Sequence, residues 1–502
     1  MFEIAAANPN AIALDDLTRQ RTWAELIDRI TRIAHLLRDR YGLRPDDHAA
    51  TLLGNRVEAI ELTLGAILAG IWLTPINHHL QADEIAYIVS DSGARVLFTD
   101  PEHEGRARQS AAPEVVLVGP DLDRALAAVS DQPLPLSGPA GATMIYTSGT
   151  TGQPKGVKRP RAASLGAALS AAAAAGMTLG LDGSGPHLIT GPAYHAAPLL
   201  FAVYDQINGA PIVLMPRWDA AQTLRLIQER RIRHTHLVPT MFVRLLRLEE
   251  HIRHAFDPSS LRLVLHGAAP VAARVKHRMI EWWGEVLVEY WGATEGGVCT
   301  LVSSGDWLAH WGTVGRATPS FEVFAVDDAG NRLPPGAVGT LYCRHKQLAR
   351  AFEYHNAPAK TAASYLGPGT FTIGDIGRVD ADGYVYLTDR KSNLIISGGV
   401  NIYPAEVEQI LQQHPAVADA GVFGIPDDEW GEAVKGAVEL IDGVRPSAEL
   451  EADILAFARQ HLASYKVPRS LDFEQRLPRH PTGKLYIRQL RDRYWKGREK
   501  KI

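Results

Sequence analysis

Eleven consecutive residues carry the chemistry that stands out most: Thr147-Ser148-Gly149-Thr150-Thr151-Gly152-Gln153-Pro154-Lys155-Gly156-Val157. They follow the apolar run Met144-Ile145-Tyr146. Glycines let backbone N–H groups approach an anion, hydroxyls donate to it, and Lys155 adds positive charge. That is phosphate-binding chemistry. The run is not a Walker A loop, which needs Lys followed directly by Ser or Thr, because Lys155 precedes Gly156. An ordinary surface loop has no need of this order of residues.

Other segments add to it. Gly292-Ala293-Thr294-Glu295 follows a strand-like run at 286–290. A threonine and a carboxylate at the C-terminal end of a strand can hold a phosphate and a divalent cation. Trp291, just before them, offers a wide aromatic face for stacking. The turn Gly267-Ala268-Ala269-Pro270 has small side chains that permit close approach. The carboxylate of Asp375, in Thr372-Ile373-Gly374-Asp375, suits two hydroxyl donors, although alone it reads as a turn residue. Ser397-Gly398-Gly399 is a tight glycine turn whose backbone edge can run beside an extended ligand. Lys484, in Pro481-Thr482-Gly483-Lys484, reads by itself as a solvated lysine on a flexible turn. His195 is one of nineteen histidines, so its presence alone means little.

The elements that must position these residues follow from periodicity. A capping-box pattern at Thr22 and Glu25 opens an amphipathic helix over 22–40. Short apolar runs at 49–53, 114–118, 143–147, 187–190, 211–215, 234–238, 262–266 and 286–290 alternate with helical stretches at 56–69, 219–230, 240–248 and 271–282. This alternation predicts an α/β protein with parallel sheets covered by helices. From about residue 313, Gly and Pro become frequent around strand-like runs at 321–326 and 338–343, which predicts a small antiparallel β region. A last α+β segment follows, with helices at 404–413 and 448–462 and strands near 417–423 and 434–440. The basic tail 486–502 reads as solvated surface, with a membrane or nucleic-acid contact as the lesser alternative.

Composition sets limits. The chain has 502 residues, a charge of −4, 46% hydrophobic and 22% charged residues. That is the profile of a soluble globular protein and argues against a dedicated nucleic-acid binder. Two cysteines exclude a disulfide framework, and a reducing cytoplasm is the natural compartment. The start shows no secretory leader. Residues 162–181 lack charge but are mostly Ala, Gly and Ser, which predicts a buried or partly buried helix rather than a membrane span.

Taken in order, YTSGTTGQPKGV at 146–157, HGAAP at 266–270, EYWGATEGG at 289–297, GDIG at 374–377, DRKSNLIISGGVNIYPAEVE at 389–408 and PRHPTGKL at 478–485 resemble the adenylate-forming superfamily. That superfamily includes acyl-CoA synthetases and peptide-synthetase adenylation domains. The resemblance covers nearly the whole chain. It implies a large N-terminal AMP-binding lobe over 1–390, made of helix-covered sheets and a small β region, and a small mobile α+β lobe over 391–502. It implies that residues 147–152 and Lys155 bind ATP phosphates, that Thr294 touches the α-phosphate, and that Glu295 orients Mg²⁺. Trp291, where relatives usually have Tyr, would stack on adenine, with Gly267, Ala268, Ala269 and Pro270 on its other side and Gly292 beside it. Asp375 and Arg390 would hold the ribose. The lobes would pivot at Lys391 and Ser392, although the pivot residue in relatives is typically Asp or Lys. Ser397, Gly398 and Gly399 would line the path of coenzyme A. Lys484 would enter the site during adenylation, and His195 would position the acid.

The implied activity is a two-step ligase. A carboxylate and Mg·ATP give an acyl-adenylate, and a thiol then takes the acyl group. Coenzyme A is the favoured thiol and a carrier protein the alternative. No carrier segment follows Lys484 in the chain, and the stretch 192–205 has no carboxylate before Asp205 to hold an amino-acid ammonium group. A non-catalytic nucleotide binder would have no need of both Lys484 and Glu295. The acyl pocket is assigned to Tyr194, His195, Thr240, Met241, Ala269 and Gly297. Its small members predict a medium- or long-chain or bulky apolar acid, with an aryl acid as the alternative and a homodimer as the common state among relatives.

Overall fold

Chain segments buried along their whole length must be covered on both faces. Two such segments, His48–Leu52 and Trp72–Pro75, sit at the centre of an all-parallel sheet in the order Glu114–Leu117, Ala94–Thr99, His48–Leu52, Trp72–Pro75 and Ala142–Thr143. The predicted N-terminal helix runs over Trp23–His35 with both bonds of its capping box formed, then widens into a π turn at Leu36–Arg40. The computed structural model describes residues 1–147, 153–269, 271–390, 393–397, 400–427, 430–479 and 485–496, with the side chains of Asp389, Arg390 and Asn401 outside that description.

Helix α1 (Ala82–Ser92) packs beside a hairpin of β1 (Ile145–Thr147) and β2 (Lys155–Lys158), which holds the predicted phosphate loop between its strands. Helix α2 (Leu165–Leu179) is the expected Ala-rich helix, capped by Ser164 and ended by the left-handed Gly180. It rests on α3 (Ala196–Asn208). Among the described residues, no helix is long and apolar enough to cross a membrane.

The second large sheet has nine strands. Its central members β3 (His187–Ile189), β4 (Ile212–Leu214), β5 (His234–Leu237), β6 (Leu263–His266) and β7 (Leu287–Ala293) are parallel, in the order β7-β6-β5-β3-β4. Strand β8 (Gly297–Ser303) turns back antiparallel on β7. Helices α4 (Pro239–Leu246) and α5 (Ala273–Trp283) cover one face and α3 the other.

The predicted β region is a six-stranded antiparallel sheet that contains β10 (Asp375–Val379), while the short strand β9 (Glu353–Tyr354) pairs with β2. A last five-stranded sheet, with helices Pro404–Leu411 and Ala448–His461, forms the α+β lobe. The tail departs from its sequence reading. Residues Ile487–Trp495 form helix α6, which packs on this lobe through buried Leu490 and an indole bond from Trp495 to the Gly424 carbonyl at 2.9 Å. Apolar residues at helical spacing, hidden among the basic ones, give it a face to bury.

The core holds many histidines. The Asp205 carboxylate accepts from His187 at 2.9 Å and His234 at 2.8 Å, which outweighs its burial and holds it down at about 2. Burial lowers His236 to about 3. Burial, with Lys158 nearby, lowers His48 to about 3, and burial beside His79 and His103 lowers His78 to about 4. All three are therefore neutral in the fold, while in the unfolded chain they titrate near 6.5. Between about pH 6.5 and 4 the unfolded state binds more protons, so stability falls as the pH falls, by up to about 1.4 kcal/mol per pH unit for each group. The melting temperature is expected to drop steadily from pH 7 to pH 5, and less steeply in His236→Gln. A flat profile for the wild type would show that these rings take up protons while folded.

Candidate active site

Parallel strands put their C-terminal ends along one edge, and ligands of α/β folds bind there. Gly191–His195 follows β3, Thr240 and Met241 open α4 after β5, Gly267–Ala269 follows β6, and Thr294–Glu295 follows β7. The sequence-predicted residues of these four loops thus share one edge. Asn55 fixes the first loop by donating to the Gly191 and Met215 carbonyls and accepting from the Ala193 N–H at 2.8 Å. Backbones approach closely at the other two glycines. A Cβ on Gly267 would stand 2.7 Å from the Tyr290 carbonyl oxygen, and one on Gly292 would stand 2.0 Å from that of Gly297. Ala268 has φ +66°, a left-handed conformation that costs a non-glycine residue about 1 kcal/mol or more. The surrounding turn holds it there.

Two bonds tie this edge to other parts of the lobe. The Trp291 indole N–H donates to Asp375 Oδ2 at 2.7 Å, so the aromatic face and the carboxylate predicted to meet adenine and ribose are fixed to each other. The backbone of Arg390 pairs in register with Asp375. Tyr354, on β9, donates its hydroxyl to Glu295 Oε1 at 2.9 Å, and Lys360 lies over the Tyr354 ring at 4.2 Å.

The hairpin is held by a separate set of bonds. Thr147 ends β1, half-buried, at the mouth of the loop. Lys155 Nζ donates to the Tyr87 hydroxyl at 2.9 Å and lies 3.7 Å from Asp91, and these contacts raise its pKa. Tyr87 donates to the Pro154 carbonyl at 3.0 Å, while Tyr146 donates to Asp91 at 2.7 Å. Helix α1 therefore grips both strands of the hairpin. Tyr87, Asp91 and Tyr354 are site residues that the sequence reading missed. Each lies in a stretch with no motif of its own.

Tyr194 is buried against the His78 and His195 rings, at 5.2 and 4.4 Å, and its hydroxyl has no hydrogen-bond partner among the described residues. Burial, with the Tyr486 phenol alongside, raises its pKa. Tyr486 brings the small lobe to this edge. Met241 is buried, and the Thr190 hydroxyl lies 3.7 Å from its Sδ. Gly297, at φ +76°, faces the Arg159 guanidinium, which would stand 3.1 Å from a Cβ there. Ser397 pairs with Gly431 in the small lobe. Ser148, Gly149, Thr150, Thr151, Gly152, Pro270, Lys391, Ser392, Gly398, Gly399 and Lys484 lie outside the described residues, as does the Arg390 side chain.

The donor set suits a nucleotide with its magnesium ion. Among the described residues no group of three or more His, Cys, Asp or Glu side chains could cage a metal. Glu295 offers carboxylate oxygen at a strand end beside Thr294, and Mg²⁺ is commonly held by one or two carboxylates together with substrate phosphates and water.

Comparison with known proteins agrees with this geometry. The AMP-binding enzyme family matches residues 1–352, and the AMP-binding enzyme C-terminal domain matches 406–484. The chain is 33% identical to a fatty acid–acyl-carrier-protein ligase of Streptomyces coeruleorubidus, covering 96% of this chain and 93% of that one. It is also 33% identical to a feruloyl-CoA synthase of an Amycolatopsis species, covering 98% and 97%. The O-succinylbenzoate coenzyme A synthetase of Bacillus subtilis, solved with ATP and magnesium ion, superposes with a TM-score of 0.82 at 29% identity, covering 97% and 98%. With both domains matched in order and the fold reproduced over nearly its full length, the chain belongs to the AMP-binding enzyme family, as an ATP-dependent acid–thiol ligase.

Proposed function

We propose that this ligase activates an apolar carboxylic acid larger than acetate and passes the acyl group to coenzyme A. One observation carries the reading. The nucleotide-facing residues Trp291, Thr294 and Glu295 share a sheet edge with Tyr194, Met241 and Ala269, whose side chains are apolar or aromatic. An acid lying along that edge places its carboxylate at the α-phosphate end and its body among these side chains.

The chain's own residues supply position and charge. Trp291 and Asp375 hold the nucleoside, and Thr294 and the 147–152 loop hold the phosphates. Mg²⁺ on Glu295 would neutralise charge on the displaced pyrophosphate. Lys484 stands as a point cation between the carboxylate and the α-phosphate, cancelling the repulsion between two anions as they react. His195 orients the acid. The AMP-binding lobe spans 1–390 and the mobile lobe 391–502, with the pivot at Lys391 and Ser392. Cys299 and Cys343 are both free and buried, and the neighbouring Cys299, together with burial, raises the Cys343 thiol. Two such thiols side by side support a reducing, cytoplasmic setting.

The test is pyrophosphate release over a panel of acids, with and without coenzyme A. Release with ring-bearing or alkyl acids, and a thioester formed only when coenzyme A is added, is the expected result. Acylation of a phosphopantetheinylated carrier protein in place of coenzyme A would overturn the choice of thiol. No release with any acid would overturn acid activation itself.

A further inference from the structure

Neighbouring residues of a strand face opposite sides. Trp291 turns to Asp375, so Tyr290 turns to the other face of β7, toward α3. There the Phe201 ring meets it edge-on, at 5.3 Å and 88°. The Tyr290 hydroxyl lies 3.0 Å from His236 Nε2, and the His236 ring is 5.6 Å from Phe201. All three are buried. They come from α3, β5 and β7, elements that frame the proposed acyl pocket, and Leu265 of the intervening β6 packs in the same layer.

This layer lies directly beneath the pocket. A Cβ on Gly267 would stand 2.8 Å from Tyr290 Cζ, so the turn that carries Ala269 rests on the ring. The Thr190 hydroxyl donates to the His236 backbone carbonyl and lies 3.7 Å from Met241 Sδ, which joins another proposed pocket residue to the layer. His195 caps α3 and Phe201 lies six residues further on. At 1.5 Å of rise per residue, the layer stands about 9 Å below the carboxylate end.

Its chemistry is mixed. Leu179, Leu181 and Leu263 surround it, yet its centre is a phenol and an imidazole. His236 Nε2 and the Tyr290 hydroxyl share one hydrogen bond at 3.0 Å. The phenol oxygen keeps acceptor capacity for a further donor.

We propose that the Tyr290–His236–Phe201 layer is the floor of the acyl pocket, so that the acid is compact, one ring deep, and is preferred when its far end carries a hydroxyl that donates to Tyr290. This rests on the acid-activating reading above and narrows the substrate to a ring acid of the benzoate or cinnamate type. Straight chains longer than the floor allows are excluded by the same rings.

The measurement is kcat/KM for pyrophosphate release over two series. One is benzoates and cinnamates with and without a para-hydroxyl; the other is straight-chain acids from hexanoate to palmitate. The proteins are wild type, Tyr290→Phe, Tyr290→Ala and Phe201→Ala, each checked for a cooperative melt. Wild type is expected to prefer the hydroxylated ring acids and to fall off along the chain series. Tyr290→Phe should lower the preference for the hydroxylated over the plain ring by about tenfold. Tyr290→Ala or Phe201→Ala, whichever folds, should shift the accepted chain length toward palmitate. Equal turnover of hexanoate and palmitate by wild type would overturn the floor while acid activation stands. So would an unchanged hydroxyl preference in Tyr290→Phe together with unchanged length profiles in the alanine variants. Failure of every acid to release pyrophosphate would instead remove the acid-activating reading on which the floor depends.

Discussion

Lys484→Ala is expected to lower ATP–pyrophosphate exchange by about 10²- to 10³-fold, some 3–4 kcal/mol, while thioester formation from supplied acyl-adenylate persists. The reason is positional. Lys484 follows Gly483 in the sequence, and the described residues on either side of this stretch are anchored in the small lobe. Arg479 makes a bidentate pair with Asp419 at 2.6 and 2.7 Å, Arg479 bridges to Leu485, and the Tyr486 N–H donates to the Pro478 carbonyl at 2.8 Å. Tyr486 then reaches the large lobe beside Tyr194. On the proposed reading, a cation two residues away would be delivered to the acid and α-phosphate by the lobe as a body. Once the adenylate exists, its charge repulsion is spent and the lysine has nothing left to neutralise. Separate assays of the two half-reactions decide the matter. Equal loss in both would mean that Lys484 supports the fold or the nucleotide generally.

The opposite split is expected at Gly399. Gly399→Leu should still form acyl-adenylate but lose about 5- to 150-fold in turnover with coenzyme A, the effect of about 1–3 kcal/mol of overpacking. The strand leading to this turn is pinned: Ser397 pairs with Gly431, and the Ile396 N–H donates to Glu432 at 2.8 Å. A leucine side chain therefore has no easy retreat through movement of the strand. Single-turnover adenylate formation, followed by addition of coenzyme A, separates the steps. Parallel losses would place Gly399 in the nucleotide site and remove it from the thiol path.

Local pattern made much of the fold legible. The runs at 187–190, 234–238 and 262–266 became β3, β5 and β6 within a residue or two, and all three are buried along their length, as strands covered on both faces must be. Thr22 and Glu25 gave the start of the first long helix for an equally local reason. What escaped lay in long-range pairing. Nothing near Tyr87 or Tyr354 marks it as a partner of Lys155 or Glu295, since each bond joins segments 59 or more residues apart. Tyr290 stood inside a recognised segment, yet only the alternation of β7 reveals that it faces away from Trp291. The tail misled for a compositional reason, as its many arginines hid the spacing of Ile487, Leu490 and Tyr494 that seats α6.

The cross-ties of the site also bear on when it comes into being. Trp291–Asp375, Glu295–Tyr354 and Lys155–Tyr87 close over 84, 59 and 68 residues of chain. Each unites pieces that belong to different elements, and contacts of such separation form late because the intervening chain must first be ordered. A growing chain on the ribosome lacks Asp375 until about three quarters of its 502 residues have been made. Until then Trp291 has no carboxylate to hold it, and the proposed nucleoside site is incomplete. Nucleotide capture is thereby a property of the finished lobe, and it reports completion of the fold more faithfully than any single strand or helix could.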